Sequence, residues 1–141
     1  MKHWLSPLLL LFILAACNNR TDESTTSEND VDAARNFIRS ALDGDYVKAK
    51  QYIVPDSLNT QLLNTFGDNY RNHMSRDDKR GYKESSIRIP DTRTINDSTS
   101  VIMYSNSYKN KLDSLKVVRI GGKWLVDFKY SFAGKDTTPI K

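Results

Sequence analysis

The chain has 141 residues, 38% of them hydrophobic and 27% charged, with a formal net charge of +4. That length suits one modest domain and is too short for two. A single cysteine, Cys17, excludes an intramolecular disulfide, and with only His3 and His73 beside it a zinc site of the Cys/His kind cannot be assembled. No dense Asp loop with a glycine turn offers a calcium site, and nothing in the residues calls for a cofactor.

The apolar residues are unevenly spread. Residues 5–17 form an almost unbroken apolar run behind a short basic start, Met1-Lys2-His3. The run falls short of the roughly 20 residues a spanning helix needs. A basic start, a short apolar core and small residues before a cut point describe a secretory signal peptide, here residues 1–16. The cut-point residues Leu14-Ala15-Ala16-Cys17 resemble the lipobox of bacterial lipoproteins. The resemblance implies that Cys17 becomes the lipidated first residue of the mature chain. Several acyl chains, at about 0.8 kcal/mol per buried CH₂, make a lasting anchor. Asn18 follows the cysteine, and by resemblance to Gram-negative sorting rules the lack of Asp there favours the outer membrane of the cell envelope.

After Cys17 the chain reads N-N-R-T-D-E-S-T-T-S-E-N-D to Asp30. It has no apolar side chain to offset its ordering entropy, so residues 17–30 are expected to be a lipidated cysteine and a flexible tether. The folded domain is expected over 31–133, about a hundred residues with one core, and 134–141 as a C-terminal tail.

Within the domain, Asp30 or Asp32 can cap a first helix carrying Val31, Ala34, Phe37, Ile38, Ala41 and Leu42 at helical spacing, ending at Gly44. Asp45 then caps a short helix with Tyr46, Ala49, Tyr52 and Ile53 on one face. Pro55-Asp56-Ser57 opens a third, in which Leu58, Leu62, Phe66 and Tyr70 step by four and Gly67 is a weak point that splits it. The polar stretch from Asn72 to Gly81 is ambiguous. Past Gly81 the period changes. Strands are expected over 82–89, closed by Pro90, over 100–108 and over 112–120, followed by a tight turn at Gly121-Gly122. The last strand is expected to alternate Trp124, Val126, Phe128, Tyr130 and Phe132 towards the helices with Leu125, Asp127, Lys129 and Ser131 away from them. Helices followed by hairpin strands make an α+β domain, N-terminal helices packed on a curved antiparallel sheet of about four strands.

Two segments resemble a known family. Ala34-Arg35-Asn36-Phe37-Ile38, continuing through Leu42-Asp43-Gly44-Asp45-Tyr46 to Ala49-Lys50, is similar to the opening helices of nuclear-transport-factor-2-like domains, which share the cystatin-like cone fold. Gly121-Gly122-Lys123-Trp124-Leu125-Val126-Asp127 resembles the family's closing hairpin. The resemblance implies the cone fold over about 100 residues and is nearly silent on function. Small bacterial lipoproteins of this kind are grouped with lumazine-binding-like domains.

Enzymes of that superfamily place Asp, His or Tyr inside the cone, where an apolar setting makes a carboxylate a better base. Here His73 lies in a polar run and Asp127 on the outward alternate of the last strand, so no catalytic residue is assigned; an isomerase- or cyclase-like enzyme using His73 or a carboxylate is the alternative. The chain holds seven tyrosines and two tryptophans. Tyr46, Tyr52, Phe66, Tyr104, Trp124, Phe128 and Tyr130 are the candidates to line a ligand pocket, since a phenol buries its ring while pointing its hydroxyl at a ligand; the plainer and favoured reading is that the same residues fill the core. Arg71, Arg76, Lys79, Arg80 and Lys83 are interleaved with Asp77 and Asp78, which fits a solvated face, and export argues against nucleic acid. The expected function is therefore that of a non-catalytic, lipid-anchored envelope protein that binds a small molecule or an envelope protein. A homodimer through the outer sheet face is a third reading.

Overall fold

The computed structural model describes residues 26–133. The signal segment 1–16, Cys17, the tether as far as residue 25 and the tail 134–141 lie outside the described residues. Helix α1 spans Asp30–Leu42, α2 Tyr46–Ala49, α3 Ser57–Asn72 and α4 Arg76–Glu84. Strands β1 (Ile87–Asn96), β2 (Thr99–Asn106), β3 (Asp113–Ile120) and β4 (Lys123–Asp127) follow. They form one antiparallel sheet in the order β1-β2-β3-β4. The α+β architecture, helices first and a four-stranded sheet after them, is the one expected.

Side-chain caps define the helix starts. Asn29 accepts from the Asp32 amide, Asp45 from Lys48, Asp56 from Asn59 and Ser75 from Asp78, each satisfying an amide that has no partner inside its helix. The described residues include some that precede the expected boundary at residue 31. Ser27 is buried and its Oγ accepts from Asn36 Nδ2 at 3.2 Å, so the last tether residues are tied to α1 by hydrogen bonds rather than by apolar burial.

The helices depart from expectation in two places. Helix α3 runs unbroken through Gly67, and its buried stripe is Asn59, Leu63 and Gly67, with Leu58 and Phe66 exposed. Gly67 is a contact position: a β-carbon there would lie 3.1 Å from the Tyr46 ring, so the missing side chain lets α2 approach. The ambiguous stretch contains α4, and residues 82–84, expected in a strand, are its last turn. Ser75-Arg76-Asp77-Asp78 is a capping arrangement, with Ser75 Oγ donating back to Asp78 at 2.7 Å. The C-terminal end of α4 is held by Arg39, which donates to the carbonyls of Tyr82, Lys83 and Ser85.

The sheet also differs at both ends. β1 begins at Ile87 and continues past Pro90 to Asn96. It is an edge strand whose register shifts between Arg88 and Asp91, and such an irregularity accommodates a residue with no amide hydrogen. The β3–β4 turn has positive φ at both Gly121 (56°) and Gly122 (79°), the geometry a two-residue hairpin favours. β4 stops at Asp127, and Phe128–Ser131 forms a 3-10 helix. The long alternation expected through Phe132 therefore ends half-way. Trp124 and Val126 face the helices as expected, but Lys129 and Ser131 do not continue an outer strand face. Ser131 Oγ donates to the Ser114 carbonyl instead.

The core lies between α1 and the sheet, with Ala33, Ala34, Phe37 and Ile38 against Ile102, Leu115, Val117 and Val126. Ile53 adds a parallel bridge to Val126, and the Val54 amide donates to the Val126 carbonyl at 2.9 Å.

Candidate functional site

Between α1, α3, the last turn of α4 and the inner face of β2 lies a cavity of about 350 Å³, at the small end of the range for ligand pockets, ~300–1,000 Å³. Helix α1 contributes Phe37, Ile38, Ala41 and Leu42 to the wall. Leu63, Phe66, Asn69 and Tyr70 come from α3, Met74 and Tyr82 from the α3–α4 region, Tyr104 and Asn106 from β2, and Tyr46 and Phe128 complete it. Phe128 is the hub of the apolar end, with ring centroids 5.2 Å from Phe37 and 5.4 Å from Phe66. At the other end Tyr46 and Tyr70 meet at 5.7 Å. The Tyr70 ring lies over Gly44, where φ is 77° and a β-carbon would overlap the ring, so the turn between α1 and α2 must be glycine for this wall to form.

Burial is the main reason the Tyr46 hydroxyl is pushed up to about 12, with the neighbouring phenols of Tyr70 and Tyr82 adding to it and Arg71 opposing it. The Tyr104 hydroxyl is pushed up to about 12 by burial alone. Both remain neutral phenols across the physiological range. No described protein group hydrogen-bonds the hydroxyls of Tyr46, Tyr70, Tyr82 or Tyr104. Among the described residues the lining includes no carboxylate, imidazole, thiol or amine.

No family model and no curated protein matches the chain. Among solved structures, it is similar to an NTF-2-like protein of unknown function from Shewanella oneidensis, with 12% identity and a TM-score of 0.50, over 68% of this chain and 89% of that one. At that identity the likeness shows the fold alone. The domain has the NTF-2-like cone fold.

Four of the seven pocket candidates line the cavity: Tyr46, Phe66, Tyr104 and Phe128. Three do not. Tyr52 is buried in the core at the end of the 3-10 turn Lys50–Tyr52 that follows α2. Trp124 packs partly on the core near the far end of the sheet, with the Arg119 guanidinium 5.8 Å from its ring. Tyr130 sits on the terminal 3-10 helix and borders a separate shallow groove with Leu58, Leu62 and Lys116. Because β4 stops at Asp127, Tyr130 is rotated off the face on which strict alternation would put it.

Tyr70 and Tyr82 were not among the candidates. Tyr70 shares with Phe66 the stripe that starts at Leu58, and Leu63, Phe66 and Tyr70 fall at i, i+3 and i+7, so the cavity is lined by the far half of that stripe together with Leu63. Tyr82 became legible only with the Ser75 cap, which makes its segment a helix.

The two titratable residues considered for catalysis lie elsewhere. His73 is exposed at the C-terminal cap of α3. Asp127 does not face solvent as expected. It is nearly buried in a polar junction at the start of α3, where its Oδ1 accepts from Lys129 Nζ at 2.7 Å and from Asn59 Nδ2 at 3.2 Å. Asn59 Oδ1 in turn accepts from the Lys129 amide at 2.7 Å, and Lys129 Nζ also meets Asp56 at 2.7 Å. These contacts raise the Lys129 ammonium above its usual value, Asp127 contributing most. The Asn59 amide chiefly lowers Asp56. Among the described residues no group of three His, Cys, Asp or Glu side chains forms a metal site, and no helix is long and apolar enough to cross a membrane.

Proposed function

We propose that the protein is a lipid-anchored lipoprotein of the bacterial envelope whose cone binds a small, largely apolar molecule without transforming it. The observation that carries the binding reading is the cavity itself, walled by phenylalanine and aliphatic side chains and edged by phenol hydroxyls without partners among the described residues. Open apolar space with a few uncommitted polar groups is the usual form of a small-molecule site. Its lining lacks the carboxylate, imidazole, thiol and amine groups that most acid–base and nucleophilic catalysis uses, which favours binding over turnover. The lipobox resemblance at 14–17 supports the address, the outer membrane being the favoured side by the Asn18 rule.

Two measurements test this. Native mass spectrometry of the protein extracted from envelopes should show an added small mass that disappears in Ala41→Trp, whose indole would occupy the cavity. A wild-type spectrum of bare protein, or an adduct that survives in the variant, counts against the site. Cys17→Ser should release the protein from membranes and abolish labelling by a fatty-acid probe; label retained in that variant overturns the anchor.

A further inference from the structure

The polar groups on the β2 wall narrow the class of ligand. Tyr104 and Asn106 alternate on the inner face of β2, two residues apart and about 7 Å along the strand. Asn106 Oδ1 is already engaged: it accepts from the amides of Tyr108 at 3.1 Å and Lys109 at 3.0 Å. That fixes the carboxamide orientation and leaves Nδ2, a pure donor, without a described partner. The Tyr104 hydroxyl likewise has no described partner, and it has no neighbouring base to draw off its proton. The β2 part of the lining therefore offers two hydrogen-bond donors to a cavity whose other lining residues include the apolar Leu63 and Phe128.

No described lining residue carries a charge. The bordering ammoniums, Lys79 at 5.3 Å over the Tyr70 ring and Lys109 at 5.8 Å over the Tyr82 ring, are engaged by the Arg71 carbonyl and by Asp78. An ionised ligand group would therefore lose its hydration without a counter-ion in the lining itself. A pure hydrocarbon would leave both donors without partners in a partly buried setting. An acceptor on the ligand removes that second penalty.

We infer that the cavity selects an uncharged, largely apolar molecule bearing a carbonyl-type acceptor, which receives hydrogen bonds from Tyr104 Oη and Asn106 Nδ2. This rests on the binding reading above and adds the ligand's chemistry to it.

Three matched bicyclic probes test it on the purified full chain by calorimetric titration: 2-acetonaphthone, which is neutral with an acceptor, 2-ethylnaphthalene, neutral without one, and 2-naphthoate, an anion. The ketone and the hydrocarbon should bind wild-type protein, and the anion should bind weakest. Tyr104→Phe, which deletes only the hydroxyl, should weaken the ketone about three- to tenfold, the worth of one neutral hydrogen bond, and leave the hydrocarbon unchanged. Asn106→Asp keeps the oxygen that holds the Tyr108 and Lys109 amides and removes the donor hydrogens; it should weaken the ketone at least as much, so the test survives if one variant folds poorly. If ketone affinity is unaltered in both variants, or if the naphthoate binds tightest, the acceptor assignment fails while the cavity remains a binding site. If neither neutral probe binds the wild type, the binding reading fails and this inference falls with it.

Discussion

Helix α3 meets the rest of the domain differently at its two ends. At its N-terminus Asp56, Asn59, Asp127 and Lys129 satisfy one another, and the fully buried Asn59 uses both its oxygen and its nitrogen. Seven to eleven residues further along, Phe66 and Tyr70 border open space with phenols that have no partner among the described residues. The first arrangement closes an interface, because a buried polar group costs little only when it is fully paired. The second forgoes packing and hydrogen bonding at the same interface, and a ligand can supply both. Stability and binding are thus allotted to opposite ends of one helix.

The comparison can be broken most severely at Phe37, which packs on Phe128 between the two ends and lines the cavity as well. Phe37→Ala should cost about 3–5 kcal/mol, the range for a buried aromatic, and should abolish probe binding; a wild-type denaturation midpoint would show that the ring is not held as described.

Asn59→Ala separates the two ends. It removes bonds to Asp56, Asp127 and the Lys129 amide, so roughly 2–3 kcal/mol of stability should be lost in chemical denaturation. Cavity probes should still bind under native conditions. Equal loss of binding would mean that the polar junction shapes the pocket directly.

At the cavity end the expected signature is alkaline. A tyrosine whose folded pKa is raised favours the protonated form in the native state, so its contribution is complete below the unfolded pKa of 10 and is lost as pH rises towards about 12. For Tyr104 that shift corresponds to roughly 2–3 kcal/mol, with a smaller share from the more exposed Tyr46. Tyr104→Phe should leave neutral-pH stability within about 0.5 kcal/mol, its hydroxyl having no partner among the described residues, and should flatten the loss between pH 10 and 12. Unfolding curves across that range decide it; an unchanged alkaline slope in the variant removes Tyr104 as its source.

The smallest effect is expected at His73, exposed on the α3 cap. His73→Ala should change melting by little and probe binding not at all. A clear loss of binding would bring the imidazole back into consideration as a site residue.

The chain's local grammar was legible where one residue type settles a local geometry. Asp45 and Asp56 start helices, Gly121-Gly122 turns the hairpin, and Phe37 and Ile38 face the core, each for reasons contained in a few neighbouring residues. The stripe expected from Leu58 is only partly the one that packs: Leu62 reaches the core and Phe66 and Tyr70 line the cavity, while the terminal 3-10 helix and α2 select Asn59, Leu63 and Gly67 as the buried face. The polar Asn59 could not announce itself as buried, since its partners Asp127 and Lys129 lie 68 and 70 positions away. For the same reason Tyr46, Phe66, Tyr104 and Phe128 could be named as aromatic candidates, but not distinguished from Tyr52, Trp124 and Tyr130.

By itself the sequence determined the class of fold, an α+β domain with its caps, its closing turn and the apolar faces that build the core, because helix and strand periodicity and capping act over one or two turns of chain. Only the tertiary structure decided where β4 gives way to a 3-10 helix, which side chains pair in the junction and which aromatic residues enclose space. Those outcomes depend on contacts between residues far apart in the chain, and a cavity is a property of what several elements together leave unfilled.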